Sequence, residues 1–232
     1  MKVNKFVIVC LIVIILDQVV KMLVHYNMQL GYQGEIRVIG DWFRLHYIHN
    51  PGMAFGITID AEYGKLFLSL FRVTAITALG YFFYHQIKQK AHPGFLFCLA
   101  LILGGAIGNG IDSVFYGVLF DIVTPDAPSP WLHGMVIDML YFPMFRGHFP
   151  TWFPDWSWFP FQSGRPFTFF SAIFNLADSA IFIGAVSILI FNKRFFSEES
   201  VTAENKNSQD EDTEDLSSLA AVSGDSFNEE EE

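Results

Sequence analysis

Seven polar or charged side chains lie within or beside long apolar stretches of this chain. Most repeat a helical spacing of three or four residues; the seven are Asp17, Lys21, Arg72, Asn109, Asp112, Asn175 and Asp178. Ionisable groups are costly in apolar surroundings, so each of them is a candidate for function. Carboxylates that lie close together raise each other's pKa, and two that share a proton can act as general base and general acid on a peptide carbonyl. That chemistry requires neither a metal nor an organic cofactor, and we expect neither.

Simpler roles are open for the same residues. Asp17 and Lys21 are one helical turn apart and can neutralise each other as a pair. Arg72 can extend to the membrane interface or balance the acidic groups. Asn109 and Asn175 can join helices by hydrogen bonds.

The elements that must position these residues are four apolar stretches, each long enough to cross a bilayer, which takes about 20 residues. They are residues 5–24, 66–84, 94–112 and 172–191. Spanning helices satisfy their own backbone hydrogen bonds in lipid. The sequence therefore predicts an all-α integral membrane protein, a four-helix transmembrane bundle.

Basic residues predict the orientation of the four spans. They precede the first span, fill the turn between the second and third, and follow the fourth; they are Lys2, Lys5, Lys88, Lys90, Lys193 and Arg194. By the positive-inside rule these segments and both termini are cytoplasmic. Residues 25–65 and 113–171 then form outer loops. At about 1.5 Å per residue, the seven polar residues gather within roughly 10 Å of the outer interface.

The outer loops and the C-terminal tail differ in character. Residues 34–49 alternate apolar and polar side chains between glycines, which predicts short strands of a small extracytoplasmic β-sheet. Aromatic residues among prolines in 150–170 suggest an interfacial anchor or a substrate-gating loop. Of the net charge of −10, the tail, residues 198–232, contributes thirteen acidic and one basic side chain, so we expect a disordered tail after a membrane domain of residues 1–197. Cys10 and Cys98 lie in apolar runs, where we expect no disulfide.

Four segments resemble those of lipoprotein signal peptidases, also called signal peptidase II, a family of aspartyl peptidases. They are Asp17-Gln18-Val19-Val20-Lys21, Asn50-Pro51-Gly52-Met53-Ala54-Phe55-Gly56, Gly104-Gly105-Ala106-Ile107-Gly108-Asn109-Gly110-Ile111-Asp112 and Phe174-Asn175-Leu176-Ala177-Asp178-Ser179. The resemblance implies cleavage of bacterial prolipoproteins before a cysteine that bears a diacylglyceryl group. It places a monomeric enzyme in the inner membrane, with its active site on the periplasmic side. The partners are the prolipoprotein and membrane lipids, and no nucleic acid is expected.

The resemblance implies two catalytic aspartates, one of them Asp178. The other normally ends a Gly-x-Val-Val-Asp segment after the third span, and two segments here fit that position. Asp121 has the usual distance from Asp112, whereas Asp138 follows the better apolar run, Gly134-Met135-Val136-Ile137. Because the proline-rich segment between the two candidates is typical of an inserted loop, we predict that Asp138 is catalytic and that Asp121 is an exposed loop acid.

Other residues are assigned supporting roles by the same resemblance: Asp17, Lys21, Asn50, Gly52, Asn109, Asp112, Asn175 and Ala177. Glycine in the Asn-Pro-Gly turn permits unusual backbone angles, and the turn could present Asn50 and backbone groups to an extended substrate. Gly104, Gly105 and Gly108 permit close helix packing. Ser113 stands where the family usually has arginine, which removes an expected charge partner of Asp112.

Two other classes of protein are weaker fits. A proton or ion transporter also needs carboxylates in the membrane, but the charged groups stop in the outer half and no inverted repeat is present. A metalloprotease would need a His-Glu-x-x-His helix, which is absent from the sequence. His46 and His49 are therefore expected to be ordinary polar surface residues.

Overall fold

The computed structural model describes residues 4–52, 63–125, 127–150, 152, 164 and 166–196. The acidic tail and residues 153–163 of the aromatic segment lie outside the described residues. The contacts divide the chain into two units, Met1–Val186 and Ser187–Glu232. Every residue with an assigned role lies in the first unit.

Four α-helices dominate the described residues: α1, Lys5–Asn27; α2, Gly64–Lys88; α3, Pro93–Phe120; and α4, Leu176–Ile190. Among the described residues, α1, α2 and α3 are long and apolar enough to cross a membrane. Helix α4 has 15 residues. It would rise about 22 Å, which is less than the roughly 30 Å of a hydrocarbon core. By length and composition, three of the described helices are therefore candidate membrane spans.

Two helices differ in extent from the predicted spans, each for a physical reason. We expected the third span to end at Asp112, but α3 continues to Phe120 because Asp112 is fully buried against other polar groups and does not mark an exposed end. The helix ends at Asp121, whose φ of 57° is left-handed. The fourth span was expected from residue 172, but Ile173 and Phe174 form a strand, and α4 begins only at Leu176.

The strands predicted within residues 34–49 are present and belong to a small antiparallel sheet with two strands that were not predicted. Its strands are β1, Ile36–Ile39; β2, Phe43–Asn50; β3, Val136–Tyr141; and β6, Ile173–Phe174, in the order β1-β2-β3-β6. A separate two-stranded sheet pairs β4, Phe145–His148, with β5, Pro166–Phe169. In the first sheet Ile48 lies opposite Asp138, and Asn50 lies opposite Val136. This register brings the Asn50 turn beside Asp138 although they are 88 residues apart in the chain.

Glycines of α3 allow its neighbours to approach closely, as the sequence predicted. A Cβ atom on Gly105 would collide with the Ala177 carbonyl, and one on Gly108 would lie 2.6 Å from Asp17 Oδ2. Helix α3 therefore contacts both α1 and the first turn of α4 along its glycine face. This packing brings the polar residues of three helices together.

The histidines of β2 do not behave alike. His46 is 2 % exposed, and its Nδ1 lies 3.0 Å from Glu35 Oε2, so its expected surface position is wrong. Glu35 also accepts from Arg44 at 2.6 Å, and the three side chains form a buried ionic cluster in the sheet. His49 is partly buried, with Nε2 2.7 Å from the Tyr47 hydroxyl. Among the described residues, no group of three His, Cys, Asp or Glu side chains could hold a metal ion.

Candidate active site

Lys21 of α1 lies at the centre of a buried polar cluster. Its side chain has no exposed surface, and its ammonium lies 2.7 Å from Asp17 Oδ2 and 2.7 Å from Asp112 Oδ2. It also donates to Asn109 Oδ1 at 2.9 Å. An ammonium has three N–H donors, and here each finds an acceptor. The simple Asp17–Lys21 pair considered from the sequence is therefore part of a larger cluster joining α1 to α3.

The two carboxylates of this cluster also hold neighbouring elements in place. Asp17 Oδ1 accepts from the Ala177 backbone N–H at 2.9 Å, which ties α1 to the start of α4. Asp112 Oδ1 accepts from Gln18 at 2.9 Å, and its Oδ2 accepts from the Ile137 backbone N–H at 3.4 Å. All four carboxylate oxygens of Asp17 and Asp112 thus accept hydrogen bonds, from Lys21, Gln18 or backbone N–H groups.

Gln18 is a site residue that the sequence analysis did not single out. Its side-chain amide donates to Asp112 Oδ1 and to the Gly108 carbonyl at 3.2 Å, while its oxygen accepts from the Tyr116 hydroxyl at 3.0 Å. It belongs to the segment Asp17-Gln18-Val19-Val20-Lys21, but a neutral side chain beside a charged pair gave no separate signal.

Asn175 connects both proposed catalytic carboxyls. Its side-chain amide donates to Asp138 Oδ1 at 2.7 Å and to Asn109 Oδ1 at 3.0 Å. Its side-chain oxygen accepts from the Asp178 backbone N–H at 2.9 Å, and its own backbone N–H donates to Asp178 Oδ2 at 3.3 Å. These reciprocal bonds have the form of a capping box at the start of a helix. The three-residue spacing of Asn175 and Asp178 follows from this local geometry.

Asp178 completes its contacts through α3. Asn109 donates its side-chain amide to Asp178 Oδ1 at 2.7 Å, and the Asn109 oxygen is held by Lys21 and Asn175. The orientation of the Asn109 amide is therefore fixed, because its oxygen must face two donors and its nitrogen must face the carboxylate. Asn109 therefore links Lys21 to Asp178 by hydrogen bonds.

Asp138 lies on β3 and is 1 % exposed. Its Oδ1 accepts from Asn175, and its Oδ2 accepts from the Asn50 side-chain amide at 2.8 Å. Burial, followed by the negative charge of Asp178, raises the pKa of Asp138 to about 7, while the hydrogen bonds from Asn50 and Asn175 oppose the rise. Asp138 therefore still holds a proton in much of the population near neutral pH.

The two candidate segments for the second carboxyl lie in different environments. Asp121 is exposed and ends α3, whereas Asp138 lies within the polar cluster. Ser113 is fully buried; its hydroxyl accepts from Arg72 at 2.6 Å and donates to the Asn109 carbonyl at 3.0 Å. The charge partner that Asp112 was expected to lack is supplied by Lys21.

The Asn50 turn lies beside this cluster. Asn50 Oδ1 accepts from the Gly52 backbone N–H at 2.7 Å, and Gly52 has a φ of 90°, which favours glycine. Because the Asn50 oxygen faces Gly52, its amide nitrogen faces Asp138. The structure thus brings all ten sequence-assigned residues into one connected cluster or its adjoining turn.

A groove of about 260 Å³ reaches this cluster between α2, α3 and α4. Asn109, Asp178 and Arg72 are its polar lining. The remaining lining is apolar: Phe71, Ala75, Ile76, Leu79, Ala106 and Ile181. Asp178 therefore lies beside an apolar wall formed by all three helices.

Comparison with known proteins points to one family. Residues 9–194 match the family model described as signal peptidase (SPase) II. The chain is 43 % identical over 196 residues to a lipoprotein signal peptidase of Porphyromonas gingivalis, covering 79 % of this chain and 81 % of the relative. It is 40 % identical over 194 residues to a lipoprotein signal peptidase of Amoebophilus asiaticus, covering 83 % and 79 %. A bacterial membrane enzyme solved by the in meso method at 2.3 Å resolution has a similar fold, with a TM-score of 0.57, 24 % identity, and coverage of 85 % of this chain and 92 % of that one.

Proposed function

Because the chain belongs to the signal peptidase II family, we propose that Asp138 and Asp178 are the catalytic carboxyls with which it cleaves its substrate. The protein is a membrane aspartyl endopeptidase that removes signal peptides from prolipoproteins. The observation that carries the catalytic assignment is the bridge made by Asn175. Its side-chain amide holds Asp138, and its backbone N–H holds Asp178.

The two carboxyls differ in a way that suits acid–base catalysis. Asp138 is fully buried and has a pKa raised to about 7, so it is the proton donor. Asp178 is partly exposed at the groove and accepts two N–H hydrogen bonds, so it is the base. When their surroundings favour the protonated form of one carboxyl and the ionised form of the other, the first acts as the acid and the second as the base.

In the first half of the proposed reaction, ionised Asp178 takes a proton from water while the water oxygen attacks the scissile carbonyl carbon. Asp138 donates its proton to the carbonyl oxygen, and a neutral gem-diol forms. In the second half, Asp178 gives its proton to the amide nitrogen and the carbon–nitrogen bond breaks. A gem-diol hydroxyl returns a proton to Asp138. The pair is then ready for another substrate.

The groove supports the finer assignment of the substrate. Its apolar wall suits the hydrophobic core of a signal peptide, and Asp178 belongs to the polar lining of the same groove. We assign cleavage to the bond before a cysteine that carries a diacylglyceryl group, with the acyl chains remaining in surrounding lipid.

The finer topology is also part of this proposal. Helix α4, together with the residues beside it, forms a fourth span, both termini face the cytoplasm, and the sheet and the dyad lie on the periplasmic side of the inner membrane. Lys88 and Lys90 lie at the end of α2 opposite the end that carries Lys65 and Arg72, and Lys193 and Arg194 follow α4 in the sequence, which supports this orientation by the positive-inside rule.

The experiment compares three purified full-length variants on one diacylglyceryl-modified prolipoprotein. Asp138→Asn and Asp178→Asn should each lower the cleavage rate by at least about 10³-fold, because each removes one proton-transfer group. Asp121→Asn is the matched control, since asparagine tolerates the left-handed backbone at that position, and it should retain the wild-type rate. Cleavage by either dyad variant at more than a tenth of the wild-type rate would overturn the assignment.

A further inference from the structure

Helix α2 directs two cations at the Asn50 turn. Lys65 and Arg72 are seven residues apart, which places them on the same face of the helix two turns apart. Lys65 is 7 % exposed, and its ammonium donates to the Pro51 carbonyl at 2.8 Å. Arg72 Nη2 donates to the next carbonyl, that of Gly52, at 3.0 Å. Successive carbonyls of the turn therefore each accept a hydrogen bond from a basic side chain of α2.

Arg72 also fixes the turn to α3. Its second nitrogen, Nη1, donates to the Ser113 hydroxyl, so one guanidinium joins the turn to the helix that carries Asn109 and Asp112. A Cβ atom on Gly52 would lie 2.6 Å from Arg72 Nη2, so the guanidinium packs directly on the turn backbone. A planar group with several fixed donors suits this two-sided contact better than a lysine ammonium would.

The turn transmits this constraint to Asp138 through one side chain. Asn50 Oδ1 accepts from the Gly52 N–H within the turn, and Asn50 Nδ2 donates to Asp138 Oδ2. Movement of the turn backbone would rotate or withdraw that amide. Its hydrogen bond is one of the two that lower the pKa of Asp138 against burial.

We propose that Lys65 and Arg72 are positioning residues that clamp the Asn50–Gly52 turn and thereby hold the Asn50 amide on Asp138. The clamp deepens the proposed function and rests on it, because its effect is exerted on the carboxyl assigned as proton donor. Neither cation acts on the scissile bond.

The clamp has a signature in the pH dependence of the reaction. The charged groups around Asp138 are Asp178 of α4, Lys21 of α1 and Arg72 of α2, with Asp112 of α3 paired to Lys21. Lys65 reaches the turn and not the carboxyl. Replacing Lys65 therefore changes Asp138 through Asn50, whereas replacing Arg72 also removes a nearby charge.

The test measures kcat, KM and the pH–rate profile of Lys65→Met, Arg72→Lys and Arg72→Gln in the full-length purified enzyme on the diacylglyceryl-modified substrate. Each variant should lose about 10- to 100-fold in kcat, because small misplacements of a catalytic group have effects of that size. For Lys65→Met, KM should change by less than about twofold, whereas the Arg72 variants should also raise KM because Arg72 lines the groove proposed for the substrate. For Lys65→Met the alkaline limb should move to higher pH, since Asp138 then holds its proton more tightly. Lys88→Met is the matched control at the opposite end of α2, where the ammonium lies over the Tyr84 ring, and it should leave all three measurements unchanged.

A double-mutant cycle with Asn50→Ala completes the test. If the clamp acts through Asn50, adding Lys65→Met to Asn50→Ala should lower kcat by less than about twofold further. Losses that multiply, a change confined to KM, or wild-type kcat in the clamp variants would each overturn the clamp. If the clamp is overturned but Asp138→Asn is inactive, the assignment of the catalytic dyad still stands. An active Asp138→Asn enzyme would refute the dyad assignment itself. Thermal unfolding near the wild-type temperature shows that each variant is folded.

Discussion

Removing the Lys21 ammonium should destabilise the protein more than any other single change of charge in the cluster. In Lys21→Met, two carboxylates with 0–1 % exposed side chains would lose the cation that lies 2.7 Å from each. Asn109 would also lose one of the donors that orient its oxygen. Methionine has a similar length and is apolar, so the change isolates the charge and its hydrogen bonds.

The expected cost follows from leaving buried charge without a partner, which is about 3–5 kcal/mol for a broken buried pair. For a chain of this size, about 2–4 °C of melting temperature corresponds to each kcal/mol. Thermal unfolding of the detergent-purified variant should therefore occur about 6–20 °C below wild type. Its kcat should fall as well, because the Asn109 amide would no longer be held toward Asp178.

Neutralising the two carboxylates provides the matched rescue. Asp17→Asn and Asp112→Asn added to Lys21→Met remove the unpaired charges while keeping the shape of both side chains. The triple variant should regain at least half of the lost melting temperature. If Lys21→Met melts within 2 °C of wild type, or if the triple variant is no more stable than the single one, the buried-charge explanation is wrong.

Two further predictions follow from burial and packing. Burial raises the pKa of Asp138 to about 7, above its unfolded value near 4, so the folded state keeps a proton that the unfolded state releases. The free energy of unfolding should therefore fall by up to about 4 kcal/mol as pH rises from 4 to above 7. In Asp138→Asn, thermal unfolding should show a weaker dependence of stability on pH. Equal pH dependence in the wild-type protein and the variant would contradict this expectation. Gly108→Ala places a methyl group 2.6 Å from Asp17 Oδ2 and should cost about 1–3 kcal/mol by separating α1 from α3. Gly80→Ala is the control, because a Cβ atom at Gly80 would meet no heavy atom within 4 Å. It should stabilise the protein by about 0.5–1 kcal/mol. Equal melting temperatures for the two variants would refute the packing argument.

The sequence contained most of the information about the cluster because its residues follow local rules. Helical spacing paired Asp17 with Lys21 and Asn175 with Asp178, and both spacings reappear as short contacts. The apolar run before Asp138 was the reason to prefer it over Asp121, and that run forms β3, where the Asp138 side chain is 1 % exposed. Features that depend on residues close together in the sequence, such as these spacings, could therefore be predicted correctly.

Features set by distant contacts were not accessible in the same way. From the sequence, Arg72 could be assigned only to the membrane interface or to charge balance, yet its contacts are with Gly52 and Ser113, 20 and 41 residues away. Lys65 was not singled out at all, because a lysine beside an apolar run is typical of an ordinary helix end. The strand at Ile173 and Phe174 was read as part of a span, since two apolar residues pairing with Leu140 and Tyr141 have no periodicity of their own.

The Asn175–Asp178 segment also explains why one short motif can serve both folding and catalysis. The reciprocal bonds that begin α4 use the Asp178 carboxylate as the cap partner of the Asn175 N–H. In the proposed reaction Asp178 gains a proton midway, which weakens that bond because a neutral carboxyl is a poorer acceptor. The Asn175 side chain keeps its own bonds to Asp138 and Asn109 at that stage, so the start of α4 stays anchored while the cap is weakened. The dyad can therefore change its protonation without losing the geometry that holds its two carboxyls together.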